Sequence, residues 1–236
     1  MTDRMILIEQ NIIRIRERMA RVAEAVGRNP NDVRLIAVSK NFPVSDLEKA
    51  YRCGQVSFGE NRVQELQEKW KGSAHLDIEI DWHYVGMLQR NKVRFIIGKV
   101  SLIHSVGSIR LMRTIERLAA REDIVQDVLL QVNVSGEETK QGFDPEQVED
   151  TLLQCRECPH VRVRGLMTMA PHYEDPEKAR PVFSQLRELR DRLISRGIVP
   201  DLPELSMGMT NDFEEAIEEG ATMIRIGSAI FGNRYE

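Results

Sequence analysis

Lys40 closes the apolar run Leu35-Ile36-Ala37-Val38-Ser39-Lys40, the first strand-like segment of the chain. A lysine at the exit of a buried strand is partly desolvated. Its amine sheds its proton more readily and becomes a nucleophile able to form a Schiff base. The competing reading is a solvated lysine that starts a loop. A Schiff-base lysine needs a carbonyl ligand held beside it, and two later segments have the make-up of an anion cradle. Ser206-Met207-Gly208-Met209-Thr210 and Gly227-Ser228-Ala229-Ile230 both bring small residues, hydroxyls and backbone N–H groups, although Gly and Ser are also ordinary turn residues. Gly227-Ser228 opens a short last helix, whose N-terminus favours an anion. Arg225 sits inside the strand-like run Met223-Ile224-Arg225-Ile226-Gly227, and alternation turns it to the face opposite Ile224 and Ile226. A charge buried there needs a partner, either a core carboxylate or the ring nitrogen of a cofactor.

Other polar residues end strand-like runs. Glu60 and Asn61 follow Phe58-Gly59 and are candidate ligand contacts; Asn61 could instead cap the helix that follows. His83, in Trp82-His83-Tyr84-Val85-Gly86, is either a ligand contact or a hydrogen-bonded core histidine, and His104 has the same two readings. Arg90, Lys92 and Arg94 form a basic cluster that reads as a solvated face or as a patch for an anionic partner. Cys155-Arg156-Glu157-Cys158 is a C-x-x-C, with His160 close behind. It lacks a thioredoxin-like context and a second ligand pair for zinc.

The elements that must position these groups alternate. Strand candidates are Leu35–Ser39, Val56–Gly59, Trp82–Val85, Leu102–Val106, Val128–Val134, Arg164–Met167, Glu204–Ser206 and Met223–Ile226. Helical periodicity fills most of the gaps, at Ser45–Cys53, Val63–Trp70, Ile109–Arg121, Pro145–Cys155, Glu177–Ser195 and Asp212–Glu219. Alternating units imply parallel strands, and eight of them in 236 residues fit a single (β/α)8 TIM barrel whose active face lies at the C-terminal strand ends. An open doubly wound sheet usually carries a Gly-rich turn after its first strand, and Ser39-Lys40-Asn41-Phe42-Pro43 is not one. Before the first strand, within residues 1–29, Met5, Ile8, Ile12, Ile15, Met19, Val22 and Val26 form one apolar stripe, and Gly27 and Pro30 end the helix that bears it. It is expected to dock on the barrel flank left bare by the very short last helix around Ser228–Gly232, giving one domain over residues 1–236.

Bulk properties are those of an ordinary soluble protein: 42% hydrophobic, 30% charged, net charge −4. The charge argues against nucleic-acid binding driven by bulk electrostatics, no run is long enough to span a bilayer, and the N-terminus does not read as a signal peptide. Three cysteines fit a reducing compartment. A cytoplasmic location is expected.

Taken in order, Ala37-Val38-Ser39-Lys40, Phe58-Gly59-Glu60-Asn61 with Val63-Gln64-Glu65, Trp82-His83, Gly86 with Leu88-Gln89 and Asn91-Lys92, Ile103-His104-Ser105-Val106, Gln131-Val132-Asn133, Gly165-Leu166-Met167, Ser206-Met207-Gly208-Met209 and Arg225-Ile226-Gly227-Ser228 resemble the pyridoxal phosphate homeostasis proteins, also known as the YggS or PROSC family. The match runs from about residue 34 to residue 232. The resemblance implies the alanine-racemase-like N-terminal barrel, fold type III of pyridoxal phosphate proteins. It implies that Lys40 holds pyridoxal 5′-phosphate (PLP) as a Schiff base, that Ser206, Gly227 and Ser228 hold its phosphate, that Arg225 faces the pyridine nitrogen and that Asn61 lines the pocket. Met87 stands where the family usually has His, Arg62 where Tyr is common, and Gly107 where Asp is usual.

Two classes of function follow. One is a carrier that takes up PLP and releases it to other proteins, with transient contact to PLP-dependent apoenzymes. The other is a PLP-dependent racemase or decarboxylase. An Arg at the pyridine nitrogen makes the ring a weaker electron sink than an Asp would, and racemisation needs a second acid/base on the opposite face of the substrate carbon. In the related racemases a Tyr from an additional domain supplies it; Tyr51, Tyr84, Tyr173 and Tyr235 are not placed to substitute. The carrier reading is favoured, no catalytic residue is assigned, and a monomer is expected. A third class, a phosphate-metabolite barrel enzyme with Lys40 on a sugar aldehyde, would bind no chromophore.

Overall fold

The computed structural model describes residues 3–75, 79–137 and 141–232. Eight parallel strands, β1 (Arg34–Val38), β2 (Ser57–Glu60), β3 (Asp81–Tyr84), β4 (Leu102–Val106), β5 (Gln126–Gln131), β6 (Val161–Met167), β7 (Glu204–Ser206) and β8 (Met223–Ile226), pair in sequence order and close through β1 and β8. Helix α1 (Asp3–Ala25) precedes the barrel. Around it run α2 (Val44–Arg52), α3 (Val63–Ser73), α4 (Ile109–Arg121), α5 (Val148–Cys155), α6 (Arg180–Ser195), α7 (Phe213–Glu218) and α8 (Ser228–Phe231). The β3–β4 connection holds a 3-10 turn, Arg90–Phe95, in place of a helix.

Period-two alternation explains the strands. On β8, Ile224 and Ile226 face the helices, while Met223 and Arg225 point into the barrel. Ile36, Leu102, Leu129, Met167 and Met223 form an apolar cluster inside the barrel, separate from the larger core between sheet and helices. β5 ends three residues earlier than the apolar run predicts. Beyond Gln131 the chain bridges to Phe143 instead, with Asn133 N–H donating to Phe143 O and Phe143 N–H to Gln131 O.

α1 buries Ile8, Ile12, Ile15, Met19 and Val22 against α2, α7 and α8. Asn11 donates to Ile230 O at 2.9 Å, and Arg18 pairs with Glu214 at 2.9 Å. α8 has only four residues, and α1 covers the flank beside it. Val26 is not part of the stripe: the helix stops at Ala25, Gly27 takes φ +72°, and Val26 is exposed.

Candidate functional site

Lys40 is the second residue past β1, and the backbone around it is held on three sides. Ser39 N–H donates to Gly59 O at 3.1 Å, Ser39 Oγ donates to Glu60 Oε1 at 2.5 Å, and Ser39 O accepts from Lys69 Nζ. On the other side Asn41 adopts φ 65°, a conformation Asn tolerates better than most residues, and its N–H donates to Glu65 Oε2 at 2.7 Å. The Lys40 side chain is half-buried, and among the described residues its amine makes no hydrogen bond or ion pair. A fixed backbone thus carries a free amine.

Asn61 stands beside it. Val38 and Gly59 are register partners, so Lys40 and Asn61, each two residues further on, continue neighbouring inward rows. Asn61 Oδ1 is buried without a partner. The helix-capping alternative fails, because Arg62 is the N-cap residue of α3 and no side chain caps that end. Gly86 lets the next loop pass: a Cβ there would lie 2.1 Å from Asn61 O.

Arg225 is buried below this rim, with its guanidinium donating to Ser206 Oγ at 2.6 Å and to Thr168 O at 2.9 Å. Among the described residues it touches no carboxylate, which removes the structural ion pair as its explanation. Burial pulls its pKa down to about 10, opposed by the charge of Asp212, so it stays a cation at neutral pH. Gly227 is half-buried against β1, where a Cβ would come within 3.0 Å of Val38 O. Ser228 is exposed, and its Oγ donates to Thr210 Oγ1 at 3.3 Å, which ties the loop after β7 to the start of α8. Ser206 is less accessible than Ser228. It is fully buried at the end of β7 and its hydroxyl is engaged by Arg225 and by His104 Nδ1, 2.8 Å away. Whether Ser206 or His104 carries the hydrogen between them depends on the His104 tautomer, and a phosphate can draw on the Ser206 hydroxyl only where His104 is the donor.

His83 and His104 are core histidines. Both are fully buried, and they bond to each other, His83 Nδ1 to His104 Nε2, at 2.9 Å. His83 Nε2 lies 2.8 Å from Asp81 Oδ2, which also accepts from Ser57 Oγ at 2.7 Å. Burial would raise Asp81, but its bonds to His83, Ser101 and Ser57 outweigh this and hold the carboxyl well below the usual carboxylate range. Burial, then the neighbouring His83, Arg225 and Arg34, push His104 well below the ordinary histidine value, so it is neutral. Asp81, His83, His104, Ser206 and Arg225 form one continuous chain through the barrel.

Glu60 is not on the site face. Asn61 faces inward, so its strand neighbour Glu60 points outward, where Lys69 of α3 meets it in a buried ion pair. Lys69 has no place among the residues singled out from the sequence, yet it falls on the buried stripe of Val63, Leu66 and Ser73, where a lysine needs a partner. The departures at the rim have separate consequences. Met87 is 61% exposed, and Gln141 Nε2 donates to its Sδ at 3.3 Å; Arg62 is exposed; Gly107 admits the backbone of Gly142, 3.2 Å from where its Cβ would sit. Arg94 and Lys92 lie over the Phe95 ring as a solvated face. Cys155 and Cys158 are free thiols, both pushed up by burial, Cys155 to about 12. Among the described residues no His/Cys/Asp/Glu group is placed to hold a metal, and no helix is long and apolar enough to cross a membrane.

Residues 11–235 match the family described as alanine racemase, N-terminal domain. A pyridoxal phosphate homeostasis protein of Aquifex aeolicus is 47% identical over 225 residues, which is 95% of this chain and 97% of that one. A solved structure of an unknown protein from Bifidobacterium adolescentis has a TM-score of 0.91 at 36% identity and covers 98% of this chain and 97% of its own. PipY of Synechococcus elongatus PCC7942, solved with PLP bound, has a TM-score of 0.78 at 36% identity over 91% of this chain and all of its own. The chain belongs to the alanine racemase N-terminal-domain family, among the pyridoxal phosphate homeostasis proteins.

Proposed function

We propose that this protein binds pyridoxal 5′-phosphate reversibly at the C-terminal mouth of the barrel and serves intracellular PLP homeostasis by holding the cofactor and releasing it to other proteins. The carrying observation is the free amine of Lys40 on a pinned backbone, beside an Asn61 oxygen without a partner and above a buried Arg225 that touches no carboxylate. When bound, the cofactor supplies an aldehyde for Lys40 to capture as a Schiff base, a pyridine nitrogen and a phosphate. Arg225 is assigned to the pyridine nitrogen. Ser206, Gly227 and Ser228 are assigned to the phosphate. Asn61 is assigned to the pocket wall.

A carrier is favoured over a racemase or decarboxylase by the state of Tyr84, the tyrosine bonded to the Asn61 backbone. Tyr84 donates its hydroxyl to Asn61 O at 3.3 Å and Met87 O at 3.1 Å, and burial pushes it up to about 12. It is a poor acid/base at neutral pH. Tyr235 lies outside the described residues. We further assign the protein to the cytoplasm as a monomer that touches recipient apoenzymes transiently.

Borohydride reduction of the protein loaded with PLP, followed by peptide mass analysis, tests the reading. It should fix the cofactor on Lys40, and Lys40→Ala should lose both the adduct and the visible absorbance. A colourless protein, or an adduct on another lysine, refutes it. Deuterium exchange at an amino acid's α-carbon at enzymatic rates would refute the carrier assignment while leaving PLP binding intact.

A further inference from the structure

The chain Asp81–His83–His104–Ser206–Arg225 obeys a counting rule. Each contact from Asp81 through the two imidazoles to Ser206, 2.8 to 2.9 Å long, holds one hydrogen. A neutral imidazole carries one hydrogen and offers one acceptor. His104 is buried and neutral, so it donates on one side and accepts on the other. If His83 Nδ1 is bare, His104 must donate from Nε2; its Nδ1 is then the acceptor, and the Ser206 hydroxyl must donate to it. If His83 Nδ1 carries a hydrogen, His104 Nε2 is the acceptor and His104 Nδ1 donates to Ser206 Oγ. In that second state Ser206 Oγ receives hydrogens from His104 and from Arg225, and its own hydrogen is freed.

We propose that Asp81, His83 and His104 are positioning residues that set the direction of the Ser206 hydroxyl, and that a proton bound at His83 frees that hydroxyl to donate to an anionic group in the barrel mouth. The two states differ by one proton. On uptake, the hydrogen between the imidazoles is carried by His83 instead of His104, the hydrogen between His104 and Ser206 is carried by His104, and Ser206 keeps a hydroxyl hydrogen pointed elsewhere. The added positive charge resides on His83 against the Asp81 carboxylate. The charged and titratable groups around this pair are Asp81 on its own strand, His104 on β4, Arg225 on β8 and Arg34 at the start of β1. Ser206 keeps the Arg225 bond in both states, so only the donor is switched.

This inference rests on the assignment of the loop after β7 to the cofactor phosphate, and its two parts are tested separately. Nitrogen-15 spectra of the assigned imidazoles in the full-length protein, from pH 5 to 9, read the first part without any cofactor. His83 Nδ1 and His104 Nδ1 should carry hydrogens together or be bare together at every pH. One protonated beside one bare, at any pH, overturns the relay. Asp81→Asn should move the pair toward the bare state, and an unchanged pair in a folded D81N protein, at a pH where the wild type is protonated, also overturns it. Where D81N does not fold, the wild-type spectra still decide. The second part is read from PLP affinity over the same pH range. Binding should be about tenfold tighter where the pair is protonated, the worth of a hydrogen bond to a charged acceptor, and Ser206→Ala should remove the step. Affinity that ignores the imidazole state overturns the coupling, whereas failure to bind PLP at all overturns the proposed function and leaves the imidazole rule to its own test.

Discussion

Substituting Lys69 by methionine should destabilise the protein strongly, and Glu60→Gln should reverse most of the loss. Glu60 is 0% exposed and Lys69 5%, so neither charge has water to fall back on. Removing one partner of a buried pair typically costs about 3–5 kcal/mol, because the other charge is left uncompensated. For a chain of this size that is a fall in Tm of roughly 6–20 °C. In the double variant the carboxamide oxygen introduced by Glu60→Gln can still accept from Ser39 Oγ, and no charge is left buried without a partner. The pair should therefore return to within about 2 kcal/mol of wild type, the remainder reflecting imperfect hydrogen bonding. The pH dependence follows from the direction of the Glu60 shift. Burial raises its pKa, and Lys69 and the Ser39 hydroxyl oppose the rise. Between the unfolded and folded values the native state binds more protons than the unfolded state, so stability falls as pH rises through that window. Losing the Lys69 charge extends the window upward. K69M should lose more stability at pH 8 than at pH 5 relative to wild type, read from urea denaturation at both. A loss below about 1 kcal/mol, or an E60Q/K69M protein no better than K69M, would refute the claim that this pair is charged and dry. Because Ser39 is bonded to both partners, K69M should also weaken PLP retention at Lys40.

Further outcomes follow from the same contacts. Ile12→Ala, in the middle of the buried stripe of α1, should cost about 2–5 kcal/mol, measured by thermal melting; a loss under about 1 kcal/mol would mean the helix is not a working part of the core. Gly86→Ala should displace Asn61, since the new Cβ would lie 2.1 Å from Asn61 O. A loss of about 1–3 kcal/mol together with weaker PLP binding is expected, and unchanged binding would remove Asn61 from the pocket wall. Sedimentation velocity should give a single species of about the 27.1 kDa chain mass; a stable dimer at low concentration contradicts the monomer assignment.

What could be read from the sequence depended on whether a residue's surroundings are set by its own element or by distant ones. The parity of β8 placed Arg225 inward from two flanking isoleucines, and no other strand was needed. The strand count and the spacing of helical runs were likewise local, and they led to a closed barrel. The same parity rule argues against Glu60 as a site contact, because adjacent residues of one strand cannot share a face. Its partner Lys69 lies in another element, and only the buried stripe of α3 hints that this lysine is dry. The histidines show the limit most clearly. His83 and His104 are 21 residues apart, and His104 and Ser206 are 102 apart. Nothing in either strand says that these rings meet, so ligand contact and core histidine could not be separated before the barrel closed.

The interior of the barrel carries a sharper division than the motifs suggest. Its apolar residues, Ile36, Leu102, Leu129, Met167 and Met223, occupy one cluster, and its polar residues form a hydrogen-bonded chain ending at Arg225. A barrel interior can be filled entirely by branched aliphatic side chains, and burying two imidazoles and a guanidinium instead has a desolvation cost. A structural role alone would be met as well by hydrophobic residues of similar volume. Arg225 also lacks a carboxylate partner among the described residues, the simplest way to stabilise a buried cation. On the proposed function, a ligand would complete the arrangement from the mouth, with an acceptor for the guanidinium, an acceptor for the Ser206 hydrogen in the state where His83 carries the extra proton, and an electrophile for Lys40. An apoprotein so arranged should gain stability on loading, and a Tm unmoved by saturating PLP would show that Arg225 and its chain are satisfied without it.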